Sequence, residues 1–197
     1  KLGLKHVVIT SVDRDDLKDD YGAEIWYATV FNTRSLNSDC TIEVLTPDFN
    51  GYKPSLEKVF SSSPNIFSHN IECVERISRS VRAQAVWQRS KDVLRASVEY
   101  GLTTKTGMMV GLGEEDSEVY KTMDEMAELG ITIFNIGQYL QPTKKHLKVD
   151  RYVSPEQFLK YKEFGLNIGF KVVESGPLVR SSYRADKQAK RMYENAV

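Results

Sequence analysis

Residues 103–136 read TTKTGMMVGLGEEDSEVYKTMDEMAELGITIFNI, and this stretch decides the fold class. The first eight residues, 103–110, have the β-branched and apolar character of a strand. Gly111-Leu112-Gly113 breaks it, and Glu114, Glu115 and Asp116 place acids where a helix dipole favours them. A helix is expected over 115–129, with Gly130 as its C-terminal stop. Residues 131–136 then form a second, more apolar strand. Strand, helix and strand joined by such short links make a right-handed βαβ unit with parallel strands.

The pattern extends in both directions. Strand-like runs occur at 5–10, 41–45, 65–68 and 170–173, and several are apolar on consecutive positions, as in a sheet covered on its faces. Helical segments are expected at 23–36, 90–100 and 186–195. The firmest helix start is Ser154-Pro155-Glu156-Gln157, with an N-cap serine, Pro at the first position and Gln at the third. Five or six such units suit either a doubly wound sheet or part of a β/α barrel, and periodicity does not choose between them. No repeat, low-complexity tract or linker divides the chain, so residues 1–197 are expected to form one domain.

The 27 basic and 27 acidic residues cancel, which argues against bulk electrostatic binding to nucleic acid or membrane surfaces. No apolar run approaches the ~20 residues of a membrane span. The opening Lys1-Leu2-Gly3-Leu4 lacks an initiator Met and runs straight into a strand, so a fragment is expected. Cys40 and Cys73 match neither a zinc spacing nor a CxxC motif and are expected to be buried free thiols.

In β/α folds chemistry collects at the C-terminal ends of the strands. Polar or Gly-rich residues follow each of the first five strands: Thr10, Ser11 and Asp13; Thr46-Pro47-Asp48; His69-Asn70-Ile71-Glu72; Gly111-Leu112-Gly113-Glu114; and Gly137-Gln138-Tyr139-Leu140-Gln141-Pro142. A ligand site at this face is expected. The acids after Gly113 would repel a phosphate, so a neutral or cationic ligand with hydroxyls fits better. Asn70 and Glu72, two apart on an extended segment, point to one side and could read a ribose diol. The bland alternatives are a loop capping the next helix for Asn70 and Glu72, a helix-leading turn for Gly111–Gly113, and a structural hydrogen-bonding role for His69. No catalytic Ser/His/Asp order or GxSxG is present.

Taken in order, Val7 to Leu17, Ile42 to Phe49, His69-Asn70-Ile71-Glu72, Thr106 to Glu114, Gly137 to Pro142 and Arg180-Ser181-Ser182-Tyr183 resemble consecutive blocks of the lipoyl synthases, radical-SAM enzymes. The resemblance covers the whole chain. It implies a partial TIM-like (β/α) barrel, truncated at its N-terminal end. It also implies S-adenosylmethionine held by Thr10, Ser11, Asp13, Asn70, Glu72, Lys105, Gly111, Glu114 and Gln138. Ser182 matches the family's serine ligand to an auxiliary 4Fe–4S cluster, one of two clusters in the full-length enzymes. The implied reaction inserts two sulfur atoms at C6 and C8 of an octanoyl-lysine. Its partners are lipoyl carrier domains (dehydrogenase E2 subunits and the glycine cleavage H protein) and an electron donor, with no nucleic acid or membrane. A cytoplasmic location is the default, mitochondria or plastids remaining open. The family's two cysteine triads do not occur in this chain, so it is expected to hold no intact cluster and to be inactive alone. The rivals are a biotin synthase-like sulfur-inserting enzyme, against which the Arg-Ser-Ser-Tyr ending speaks, and a cluster-free module that binds lipoyl carrier domains. An ordinary β/α metabolic enzyme would need a catalytic acid–base pair that the sequence lacks.

Overall fold

A computed structural model describes residues 3–82, 84 and 86–194. Six strands, β1 (His6–Thr10), β2 (Thr41–Leu45), β3 (Ile66–Ser68), β4 (Thr104–Val110), β5 (Ile133–Gln138) and β6 (Val172–Gly176), form one sheet in chain order. Every neighbouring pair is parallel. Between and after them lie α1 (Ala23–Leu36), α2 (Lys53–Ser61), the single turn α3 (Ser78–Val81), α4 (Trp87–Glu99), α5 (Asp116–Glu128), α6 (Pro155–Asn167) and α7 (Ala185–Glu194).

Alternation along the strands separates two faces. Outward residues Ile42, Val44 and Phe67 join Trp26, Val30, Val59 and Phe60 in a core under α1 and α2. Met108, Val110, Phe134 and Ile136 join Leu94, Val119, Met123, Phe158 and Tyr161 in a larger core under α4, α5 and α6. The inner face is more polar. It carries His6, Glu43, Ser68, Lys105, Asn135 and Glu174. A small apolar cluster, Ile66, Ile133 and Val172 with Ala189 and Met192 of α7, interrupts it.

Helix α7 touches both β1 and β6, the first and last strands. Six strands laid flat would span about 24 Å. A ten-residue helix, about 15 Å long and about 10 Å across, cannot reach both edges of such a sheet. The sheet therefore curls around α7. This resolves the architecture in favour of a partial barrel, with α7 filling its inside. Tyr193 Oη anchors the helix by donating to Asn65 O at 2.6 Å, ahead of β3.

The expected elements are present, with shifted ends. Helix α4 starts at Trp87 rather than at 90, because the Trp87 indole donates to Cys73 O at 3.0 Å and fixes the entry. Strands β5 and β6 each begin two residues later than expected. Ile131 and Phe170 pack in the core before pairing begins, so their apolarity marks burial rather than strand. Helix α2 was not anticipated; Leu56, Val59 and Phe60 have helical spacing but span barely one turn. Ser154 caps α6 by accepting from Gln157 N, and Gly101 and Gly130 end α4 and α5 in left-handed backbone. Strand β1 has β2 as its one strand neighbour among the described residues, leaving its other edge unpaired by strands. No helix among them is long and apolar enough to cross a membrane.

Candidate active site

The C-terminal strand ends enclose a two-lobed cleft hinged on Asn70 and Glu72. The outer lobe, about 150 Å³, is lined by Thr10, Ser11, Asp13, Thr46, His69 and Arg82. The inner lobe, about 90 Å³, is lined by Gly107, Met109, Asn135, Gly137, Arg180 and Ser181. Thr10, Ser11, Asp13, Asn70 and Glu72 are thus brought together.

Asn70 and Glu72 meet for a reason other than strand alternation. Regular pairing of β3 ends at Ser68. The chain then bulges, with Ile71 N donating to Thr106 Oγ1 at 3.1 Å and Glu72 N to Gly107 O at 3.1 Å. Glu72 adopts φ +70°, a left-handed conformation that costs a non-glycine residue about 1 kcal/mol or more. Backbone strain of this kind collects at functional sites. Asn70 Nδ2 donates to Glu72 Oε1 at 3.3 Å and to Ser181 Oγ at 2.9 Å.

His69 lies beneath the cleft as a structural group. Its Nδ1 bonds Thr46 O at 2.9 Å and its Nε2 bonds Ser90 Oγ at 3.0 Å. Burial pushes its pKa below the ordinary imidazole value, so the ring is neutral. Beside it the Thr46 hydroxyl is buried without a partner. A buried polar atom without a partner is costly unless a water or ligand completes it. Arg82 stands at the rim, 3.9 Å from both Asp13 and Glu72, too far for a hydrogen bond to either. The sequence reading named Thr46 at the end of the second strand but did not carry it into the site, and it missed Arg82, which lies in no motif that marks it.

The remaining expected ligand residues lie elsewhere. Lys105 points into the barrel and is almost wholly buried, its Nζ 2.8 Å from Glu43 Oε1. Glu114 turns back on its own loop, accepting from Gly111 N at 2.7 Å and Leu112 N at 2.9 Å, and pairs with Arg151 at 3.3 Å. Gln138 faces outward, donating to Arg151 O at 3.0 Å and accepting from Val153 N at 2.9 Å. Gly111 has no room for a side chain: a Cβ would lie 2.2 Å from Gln138 Nε2 and 2.4 Å from Arg151 O. These three residues build one support for the segment after β5. Arg151 also contacts Asp116, which takes a 2.6 Å hydrogen bond from Tyr161 Oη. Burial tends to raise the Asp116 carboxyl, but the bonds from Tyr161 and Arg151 outweigh it and hold it below the usual range.

The C-terminal segment enters the cleft from β6. Asn135 Nδ2 donates to Ser181 O at 3.2 Å, and Gly137 passes so close to Val179 that a Cβ would meet its carbonyl oxygen at 2.2 Å. Ser181 is thereby held against Asn70, while Ser182 is exposed.

Cys40 and Cys73 are both free and buried. Burial, reinforced by Glu72 and Glu114, pushes the Cys73 thiol up to about 12, unlike a thiolate ligand. No three His, Cys, Asp or Glu side chains among the described residues converge as a metal site.

The chain is similar to known proteins over nearly its whole length. It is 50% identical over 187 residues to the lipoyl synthase of Flavobacterium johnsoniae, covering 94% of this chain and 65% of that protein. It is 53% identical over 184 residues to the lipoyl synthase of Bacteroides fragilis, covering 93% and 64%. The chain thus spans a little under two thirds of these relatives. A domain of a pyruvate-formate lyase-activating enzyme from Bacteroides vulgatus shares the fold. Its TM-score is 0.65 at 12% identity, over 85% of this chain and 98% of that one. Residues 1–137 match the Radical SAM superfamily, whose membership implies S-adenosylmethionine and a 4Fe–4S cluster. The chain belongs to the Radical SAM superfamily.

Proposed function

We propose that this chain supplies the S-adenosylmethionine-binding part of a lipoyl synthase, which inserts sulfur at C6 and C8 of an octanoyl-lysine on a carrier domain. The observation that carries this reading is the junction of Asn70 with Ser181, which sets the Arg180-Ser181-Ser182-Tyr183 signature against the cleft. Identity of about half to named lipoyl synthases over nearly the whole chain supports it.

The cleft fits S-adenosylmethionine by its donor set. Glu72 accepts from a ribose diol, and Asn70 holds that carboxylate in place. Thr10, Ser11 and Asp13 face the methionine end, where Asp13 and Glu72 attract a sulfonium cation. Arg82 meets the carboxylate of that amino-acid end, and Thr46 Oγ1 gains the partner it lacks. The inner lobe, lined by Gly107, Met109 and Gly137, receives the base. When bound, S-adenosylmethionine supplies the one-electron chemistry that removes hydrogen from an alkyl chain. Lys105, Gly111, Glu114 and Gln138 act as supports for the cleft rather than as contacts.

The two cluster sites do not fit the residues present. Ser182 is an exposed hydroxyl that could take one iron position of the auxiliary cluster, and the thiolate ligands are not among the described residues.

A graft tests the reading. This chain replaces the matching 187 residues of the Flavobacterium johnsoniae enzyme, and octanoyl-lysine on a carrier domain is assayed for conversion to lipoyl-lysine. Conversion is expected, with loss in Glu72→Gln. A folded graft that binds S-adenosylmethionine but makes no lipoyl-lysine overturns the reading.

A further inference from the structure

Between Gln138, the end of β5, and Pro155, the start of α6, the chain forms no helix or strand. An irregular loop this long in a compact domain is usually functional or disordered, and this one is tied down. Tyr139 Oη donates to Leu147 O at 2.8 Å, Gln141 Nε2 to His146 O at 2.8 Å, and Asp150 N to Gly111 O at 2.9 Å. Thr143 Oγ1 bonds the His146 ring at 2.9 Å. Gln138 and Arg151 brace the base of the loop.

This fixed frame displays Lys144, Lys145 and Lys148, all exposed. None of the three has an ion-pair partner among the described residues, which is also true of Lys5, Lys18, Lys160, Lys162, Lys171 and Lys187; what sets the three apart is that they lie within five positions on one braced loop. Asp150 is the one acid between residues 139 and 150. In a chain of zero net charge this is a local excess of like charges, held in a shape that keeps them close. Leu140, Leu147 and Tyr152 are exposed on the same loop, and Leu178 at the turn after β6. Cations interleaved with aliphatic side chains suit an acidic protein face better than a nucleic-acid backbone. The loop also leaves the sheet one residue after Gly137, which lines the cleft.

We propose that the 139–153 loop is the docking surface for an acidic carrier domain, its lysines steering the partner so that the acylated lysine reaches the cleft. This rests on the function proposed above and adds the partner's chemistry and its landing place.

The test uses this chain and an octanoylated lipoyl carrier domain whose surface around the acylated lysine is acidic, with binding followed by calorimetry at low and physiological salt. Lys144→Glu/Lys145→Glu/Lys148→Glu should weaken binding roughly tenfold and flatten its salt dependence. The neutral Lys144→Gln/Lys145→Gln/Lys148→Gln should lie between, which guards against misfolding of the reversed variant. Lys5→Glu/Lys171→Glu/Lys187→Glu, the same charge change away from the loop, should bind as the unaltered chain does. S-adenosylmethionine affinity should be unchanged in all three. Equal carrier binding by the loop variants overturns the docking surface alone, provided the unaltered chain binds S-adenosylmethionine. Tighter, lysine-dependent binding of single-stranded RNA than of the carrier overturns it in favour of nucleic acid. A chain that binds neither S-adenosylmethionine nor carrier overturns both this and the function it rests on.

Discussion

Asn70 Nδ2 lies 2.9 Å from Ser181 Oγ, joining the end of β3 to a residue 111 positions later. Because the same amide also reaches Glu72, one side chain holds the cleft carboxylate and closes the C-terminal segment over it. Ser181→Ala removes a half-buried hydrogen bond and should cost about 1 kcal/mol in denaturant unfolding. It should also weaken S-adenosylmethionine binding severalfold, since Asn70 loses its anchor. Unchanged stability and affinity in Ser181→Ala would show that Asn70 is positioned by something else.

The Lys105–Glu43 pair inside the barrel makes a separate prediction. Both side chains are essentially inaccessible, and His6 Nε2 lies 3.6 Å from the other Glu43 oxygen. Lys105→Met strands a carboxylate in the interior and should destabilise the fold by about 3–5 kcal/mol. Glu43→Gln/Lys105→Met should recover most of that loss. Urea unfolding of the three proteins decides the matter, and a double variant no better than the single one sinks the ion-pair account. A stable double variant that no longer binds S-adenosylmethionine would return Lys105 to the list of cofactor contacts.

These cases mark where the sequence was legible. The strand–helix alternation and the helix stops at Gly101 and Gly130 follow from local chemistry, so they could be read directly. Thr10 ends one parallel strand, Ser11, Asp13, Asn70 and Glu72 follow theirs, and parallel strands deliver their C-terminal ends to one rim. Side-chain direction was not legible. Lys105 and Gln138 lie in strands where a one-residue difference in phase sends one inward to Glu43 and the other outward to Arg151 O. Arg82 and Ser181 join the cleft through tertiary placement alone, which no spacing along the chain encodes.

Gly137 offers a steric test of that placement. A Cβ there would lie 2.2 Å from Val179 O, a backbone atom with nowhere to retreat while Asn135 grips Arg180 and Ser181. Gly137→Ala should push the 177–181 segment off the strand end and cost about 1–3 kcal/mol, as overpacking does. Its effect on S-adenosylmethionine affinity should exceed that of Gly169→Ala, whose cost is backbone strain at φ +114° with no atom within 4 Å to clash. Calorimetric titration of both variants checks this. Equal affinities would mean that the C-terminal segment does not shape the cleft.

His69 sets the pH dependence of stability. Burial lowers its folded pKa, against the opposing hydrogen bond to Thr46 O, while in the unfolded chain it titrates near the ordinary value of about 6.5. Below that value the unfolded state binds a proton that the folded state refuses. The stabilisation is therefore complete above pH ~6.5 and is lost as pH falls toward the folded value. The slope from this one group is at most about 1.4 kcal/mol per pH unit. Unfolding by urea at pH about 7.5 and about 5.5 should show the decline, and His69→Gln should reduce it while lowering stability at the higher pH. If His69→Gln keeps the full decline, the proton is taken up at another site, and the neutral ring under Thr46 is not the source of the acid sensitivity.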